Sequence, residues 1–171
     1  PSAGVPYTYK DFTYLANVVH DANVLFVSEK YCPYKTLAEF MEAGKTRDDM
    51  VLGTGGGLGC DDDIIIAKIN KAFGTKFISG LNASTAEERT AVMGGNLIGG
   101  IANVSEMYTY INNPDKDTNI IILAVWDKQR DAFMPDCPTA EEQGFGVIYG
   151  ASDRGLCAPA NLDPASAAKL I

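Results

Sequence analysis

The stretch Leu52-Gly-Thr-Gly-Gly-Gly-Leu-Gly-Cys-Asp-Asp-Asp-Ile64 holds five of the chain's 17 glycines, then a cysteine and three consecutive aspartates. Glycine has no Cβ, so such a turn can take positive φ and bare several main-chain N–H groups together. Ahead of a helix, those donors add to the helix's own unpaired N–H groups and the positive end of its dipole, which makes an anion cradle. Thr54, Gly55, Gly56, Gly57, Leu58, Gly59, Cys60 and Asp62 are therefore candidate ligand contacts. A dinucleotide fingerprint needs glycines at i, i+2 and i+5, and the last of these positions falls on Leu58, Cys60 or Asp62. No Lys-Ser or Lys-Thr follows, so the Walker pattern is missing too. A carboxylate fits the cradle as well as a phosphate does.

Acid beside an anion site has an ordinary explanation, since first-turn carboxylates stabilise a helix by about 0.3–1 kcal/mol each when exposed. Two of Asp61, Asp62 and Asp63 are assigned that role; the third is expected to face the ligand and to select one carrying an amine or hydroxyl besides its acid group. Cys60 stands where a helix start lowers a thiol pKa, but three acids follow it and the one histidine, His20, lies in another segment. It is expected to cap or pack rather than attack, and His20 to be a surface or turn residue. Cysteines at 32, 60, 137 and 157 form no C-x-x-C pair, which argues against a zinc or redox site and for four free, mostly buried thiols. No metal or cofactor is expected.

These residues need a scaffold, and the chain supplies one. Its 171 residues, 46% apolar and 21% charged, suffice for one core. With 14 basic against 22 acidic residues the net charge is -8, which excludes a nucleic-acid partner on electrostatic grounds. The longest apolar run, Ile120 to Trp126, is too short to cross a bilayer, and no stretch has the layout of a signal peptide. The absence of an initiating Met and an ending within an apparent helix, Asp163 onward, read as a piece of something longer.

Strand and helix signals alternate. Val24–Val27 reads as a buried strand, and Thr36-Leu-Ala-Glu39 as a capping box opening a helix with Gly44 past its end. Met50–Leu52 is a short strand feeding the glycine turn; Ile65, Ile66, Ile69, Ala72 and Phe73 make one face of the next helix. Lys76–Ile78 is a third strand, Ser84-Thr-Ala-Glu87 a second capping box, and Leu97–Ala102 a fourth strand. A helix from Ser105 carries Met107, Tyr108 and Ile111 and stops at Asn112-Asn113-Pro114. Ile120–Val125 is a strand covered on both faces, Pro138–Glu142 a short helix, and Val147–Cys157 a last strand. The alternation predicts an α/β fold, a mainly parallel three-layer sheet with helices on both faces. Turns leaving the carboxyl ends of the strands then share one edge, which brings Asn103 and Ser105 towards the glycine turn.

Beside this reading stands a resemblance spread over the whole chain. Tyr9-Lys-Asp-Phe-Thr13, Asn23-Val-Leu-Phe-Val27, Pro33-Tyr-Lys-Thr-Leu37, Gly57-Leu-Gly-Cys60, Met93-Gly-Gly95 and Asn103-Val-Ser-Glu106 come in order. Leu123-Ala-Val125, Pro135-Asp-Cys-Pro-Thr139, Glu142-Gln-Gly144 and Arg154-Gly-Leu-Cys-Ala-Pro159 follow. Together they resemble the solute-binding receptors of tripartite tricarboxylate transporters. The resemblance implies a two-lobed protein of the type II periplasmic binding class that closes on a small organic carboxylate and serves membrane permease subunits. It would lie in the periplasm or otherwise outside the cytoplasmic membrane, free or lipid-anchored. Residues 1–171 would be the second lobe with its connecting strands, without the first lobe. Gly57, Gly59 and Cys60 map onto the carboxylate-holding turn, with Asn103 and Ser105 on a neighbouring one. Two departures stand out: Cys60 replaces a hydroxyl residue, and Asp63 sits where many relatives carry His. The alternative from another class is a doubly wound α/β enzyme that uses the glycine turn for a phosphate or Cys60 as nucleophile.

Overall fold

The computed structural model describes residues 4, 6–111, 119–146 and 148–170. Its elements are β1 (Phe12–Ser28), α1 (Leu37–Thr46), β2 (Val51–Thr54), α2 (Asp61–Phe73), β3 (Ile78–Leu81), α3 (Thr85–Met93), β4 (Gly99–Asn103), α4 (Val104–Met107), β5 (Ile120–Val125), β6 (Ala151–Pro159) and α5 (Pro164–Ala167), with a 3-10 turn at Tyr9–Asp11. The helix starts follow their sequence signals. Thr36 caps α1 through a complete capping box, and the Ser84 side chain accepts from the Glu87 amide at the start of α3. Gly74, left-handed at φ 69°, closes α2.

The chain forms two compact units. One, residues 21–152, holds five strands in the order β3-β2-β4-β1-β5. β2 runs parallel to β3 and β4, while β1 lies between β4 and β5 and is antiparallel to both. The strand containing Val24–Val27, expected to open a parallel βαβ run, thus runs against the rest. Within β1, Asn23 lies at the edge where β2 and β4 finish, since it is paired with Asn103. The sheet buries both faces. Leu25, Val27, Leu52 and Ile101 pack with Leu37, Phe40 and Met41 of α1 and Ile65, Ile66 and Ile69 of α2. Val24, Phe26, Ala102, Ile122 and Val125 pack with Val92 of α3 and Met107 of α4. One β-strand turns alternate residues to opposite faces, and both clusters draw on β1 and β4 accordingly.

The other unit, residues 1–20 and 153–171, contains the outer parts of β1 and β6, which pair. His20 is half-exposed as expected, but it lies within β1 rather than a turn and bonds Asp153 at 2.8 Å. Asn17 adds a second bond to the same oxygen, and the two hold the Asp153 carboxyl below its ordinary range, His20 foremost.

Other differences have local causes. The helix expected from Ser105 is the four-residue α4; Ile111 instead bridges Ile120, and its expected stop at residues 112–114 lies outside the described residues. Pro138–Glu142 is a single capped turn rather than a helix, because Thr139 joins Val125 in a β-bridge while its hydroxyl accepts from the Glu142 amide. The last strand starts at Ala151, its expected first residue Val147 being outside the described set. The four cysteines are free, but only Cys32 is buried and Cys157 is exposed.

Candidate ligand site

One row of side chains lies at the edge where β2 and β4 end. Leu25, Leu52 and Ile101 belong to the core under α2. Two positions nearer the edge on the same strands, and so on the same face, stand Asn23, Thr54 and Asn103. All three are buried, at 0%, 0% and 6% exposure. They face the first turn of α2. The Asn23 Nδ2 donates to Asp61 Oδ2 at 2.9 Å and to Asp62 Oδ1 at 3.0 Å. Asn103 Nδ2 donates to Asp61 Oδ2 at 3.0 Å and to the Asp21 carbonyl at 3.0 Å. Asn23 Oδ1 and Thr54 Oγ1 are buried without a hydrogen-bond partner among the described residues.

The glycine turn closes largely on its own chain. The Gly55 amide donates to Asp62 Oδ2 at 3.2 Å, and the Gly59 amide to Asp63 Oδ2 at 2.9 Å. A Cβ on Gly55 would lie 2.6 Å from the Thr85 nitrogen, so α3 rather than any ligand requires glycine there. Gly57 and Gly59 are glycines for another reason: both sit at φ 79°, with open space around an added Cβ. Among the described residues the amides of Gly57 and Leu58 make no intramolecular hydrogen bond, while that of Gly56 is engaged by the Cys60 sulfur. Leu58 is 85% exposed. Cys60 is the N-cap residue of α2 but makes no side-chain cap bond. Burial pushes its thiol pKa up; the amides of Asp63, Asp62 and Gly56 pull it down, and the Asp62 charge adds to the rise.

Acid dominates the surroundings. Burial, and then the neighbouring Asp61 charge, raise the Asp62 pKa to about 7. Asp63 accepts from Ser79 Oγ at 2.6 Å as well as from Gly59. On the opposite face Glu88 of α3 lies against Gly53 and Gly100, where any Cβ would overlap it. It is 0% exposed, and among the described residues neither carboxyl oxygen has a hydrogen-bond partner. Burial, with the Asp62 and Glu106 charges behind it, raises its pKa to about 9. The Cys60 sulfur and one oxygen each of Asp61 and Asp62 lie within 4.8 Å of one another, a spacing that a cation can bridge.

Sequence reasoning placed Asn103 and Ser105 near the turn, and Asn103 does reach it through Asp61. Ser105 is held elsewhere: its amide and hydroxyl donate to the two Asp21 carboxylate oxygens at 3.0 and 2.6 Å. Glu106 receives the Asn103 amide and the Thr85 hydroxyl, tying α4 to the start of α3. Asn23, Asp21, Glu88 and Glu106 were not singled out from sequence. Asn23 had a signal, because an amide at alternate spacing from buried Leu25 and Val27 is a polar residue on a core face.

The comparisons with known proteins agree with this architecture. The sequence model described as "tripartite tricarboxylate transporter family receptor" matches residues 2–171. A Cupriavidus necator protein, the "UPF0065 protein in gbd 5'region", is 24% identical over 177 residues, a match covering 99% of this chain and 52% of that protein. A solute-binding protein of the same family from Polaromonas, solved without ligand, superposes with a TM-score of 0.79 at 25% identity, over 97% of this chain and 55% of that one. MatC from Rhodopseudomonas palustris, solved with malate, gives 0.73 at 20% identity over 98% and 55%. A second R. palustris protein, solved with adipate, gives 0.73 at 19% over 94% and 52%. The chain spans about half the length of these relatives. With its whole described length matched to one family and its sheet superposed on that family's structures, this chain belongs to the tripartite tricarboxylate transporter receptor family.

Proposed function

We propose that residues 1–171 form the ligand-binding lobe of a two-lobed extracytoplasmic receptor that captures a small organic carboxylate and delivers it to the permease subunits of a tripartite transporter. The observation that carries this reading is the pair of amides, Gly57 and Leu58, that are unpaired among the described residues directly ahead of α2 at the edge where β2 and β4 end. Unpaired main-chain donors before a helix attract a carboxylate. Malate and adipate in two structural neighbours support a ligand of that class. Capture requires no catalyst or cofactor. A Cys60 thiol pushed up and not down weighs against the enzyme reading's nucleophile. The receptor would be periplasmic, free or lipid-anchored, and a missing first lobe would supply the opposing contacts.

The test is titration of the 15N-labelled chain with malate, adipate and citrate, read residue by residue from amide shifts. One lobe excludes little water, so the dissociation constant should be about 1 mM or weaker. The amides of Gly57 and Leu58 should move first. Shifts confined to other parts of the chain would remove this turn from the ligand site, and micromolar affinity would refute the need for a second lobe.

A further inference from the structure

β3 stands at one end of the strand order β3-β2-β4-β1-β5, and among the described residues nothing pairs with its outer side. The Ile78 and Asn82 amides donate to the carbonyls of Met50 and Thr54. Bonding direction alternates along a strand, so Ser79 and Leu81 turn their N–H and C=O groups away from β2. Neither of these two amides has a hydrogen-bond partner among the described residues. The opposite edge is closed differently, because Ile111 bridges Ile120 and Thr139 bridges Val125 on β5. Open edges are ordinarily blunted by a Lys, a Pro, a bulge or a covering element. Ile78-Ser-Gly-Leu81 contains no such residue and keeps an unbroken register with β2, and Ile78 and Leu81 are 47% and 54% exposed. The flanks of the strand carry opposite charge. Exposed Lys76 precedes it and makes no ion pair among the described residues, while the exposed Glu87 carboxylate folds back onto the Ala83 amide just after it. Such an edge is its own complement: an antiparallel copy sets the Lys76 end of each strand against the Glu87 end of the other.

We propose that β3 is a self-pairing edge, at which two copies of this chain align Ser79–Leu81 antiparallel about a two-fold axis through Gly80 and join their sheets into one. This register uses every outward main-chain group, because Ser79 of each copy faces Leu81 of the other. Gly80 then lies on the axis, at the close position that carries no hydrogen bonds. Leu81 shares the face of Ser79, whose hydroxyl bonds Asp63 of α2. Across the axis the two Leu81 side chains come within diagonal reach, at a spacing of about 7–8 Å. The strand is short, so the pair is weak and reversible, and a two-fold contact closes at two copies. Pairing at this edge needs no ligand and stands apart from the carboxylate reading.

Sedimentation equilibrium of the chain up to about 1 mM, with amide hydrogen exchange followed by NMR at the lowest and highest concentrations, makes the test. A reversible monomer–dimer equilibrium is expected. Exchange at Ser79 and Leu81 should slow as the dimer forms, while Ile78 and Gly80, on the side bonded to β2, change least. Leu81→Lys sets two like charges across the axis and should raise the dimer dissociation constant at least about tenfold. Lys76→Glu should raise it at least about threefold, the scale of exposed ion pairs turned into repulsions, and adding Glu87→Lys should restore it. The dispersed spectrum of each variant at low concentration reports that it is folded, and the exchange pattern of the parent decides without any variant. A monomer at every concentration would overturn the proposal, as would a dimer in which Ser79 and Leu81 exchange freely, since its contact lies elsewhere. Growth beyond two copies would refute the closed pair, and a charge exchange that fails to restore the dimer would refute the antiparallel arrangement.

Discussion

Glu88 offers the sharpest test of how this sheet is held. Its side chain fills the space left by Gly53 and Gly100, is wholly buried, and has no hydrogen-bond partner for either oxygen among the described residues. Burial raises its pKa from the ordinary 4.5 to about 9. Below the unfolded value both states carry the proton, and Glu88 contributes no pH dependence. Between the two values the unfolded chain has lost the proton while the folded one keeps it, so stability falls as pH rises, by about 1.4 kcal/mol per unit. At pH 7 the gap from 4.5 is 2.5 units, which corresponds to about 3 kcal/mol. Glu88→Gln keeps the shape and removes the titration. Urea unfolding, followed through the fluorescence of buried Trp126, the only tryptophan, measures both proteins from pH 4 to 10. The variant should gain on the parent steadily from about pH 5 and stop gaining near pH 9, while unrelated titrations cancel in the difference. A difference curve that is flat from pH 5 to 8 would show that Glu88 is ionised in the fold and that the reasoning from burial is mistaken.

Two further expectations separate the roles of the turn residues. Gly55→Ala should destabilise by about 1–3 kcal/mol, because its Cβ would meet the Thr85 backbone; Gly57→Ala, in open space at φ 79°, should cost only about 1–2 kcal/mol of left-handed strain. Equal losses above 3 kcal/mol in urea titrations would mean that the turn packs more tightly than described. Asn23→Ala should cost about 3 kcal/mol, since it strips donors from two carboxylates, and should raise the Asp62 pKa further, as followed by carboxyl carbon NMR. An unchanged Asp62 titration would mean that the amide does not support its charge.

The sequence made the layers legible because the apolar periods were clean. Ile65, Ile66 and Ile69 at helical spacing and the unbroken Ile120–Val125 run could bury themselves only as they do. The direction of β1 was hidden, because a buried strand reads the same along either axis and its neighbours are set by pairings far away in sequence. The helices expected at Ser105 and Pro138 failed for a related reason. Each is a real capped turn, but Ile111 and Thr139 are drawn into β-bridges that local signals do not contain. At the site, the glycines announced a turn of exposed amides, yet which amides stay unpaired depended on acids from the following helix, and so on three-dimensional closure.

That closure changes what the run of aspartates means. An acid in the first turn of a helix normally compensates the dipole from outside, and any of the three could have done so. Here each has a separate partner. Asp63 ties the far end of the turn through Gly59 and reaches Ser79; Asp62 ties the near end through Gly55; Asp61 is held by asparagines from β1 and β4. The two ties, with the Cys60 sulfur taking the Gly56 amide, leave the middle of the turn, Gly57 and Leu58, as its only unpaired donors among the described residues. The acids are therefore the reason that the anion cradle is short. A cradle two amides long would accept one carboxylate, and on the proposed function specificity for the remainder of the solute would come from what borders it, which on this lobe is chiefly negative charge.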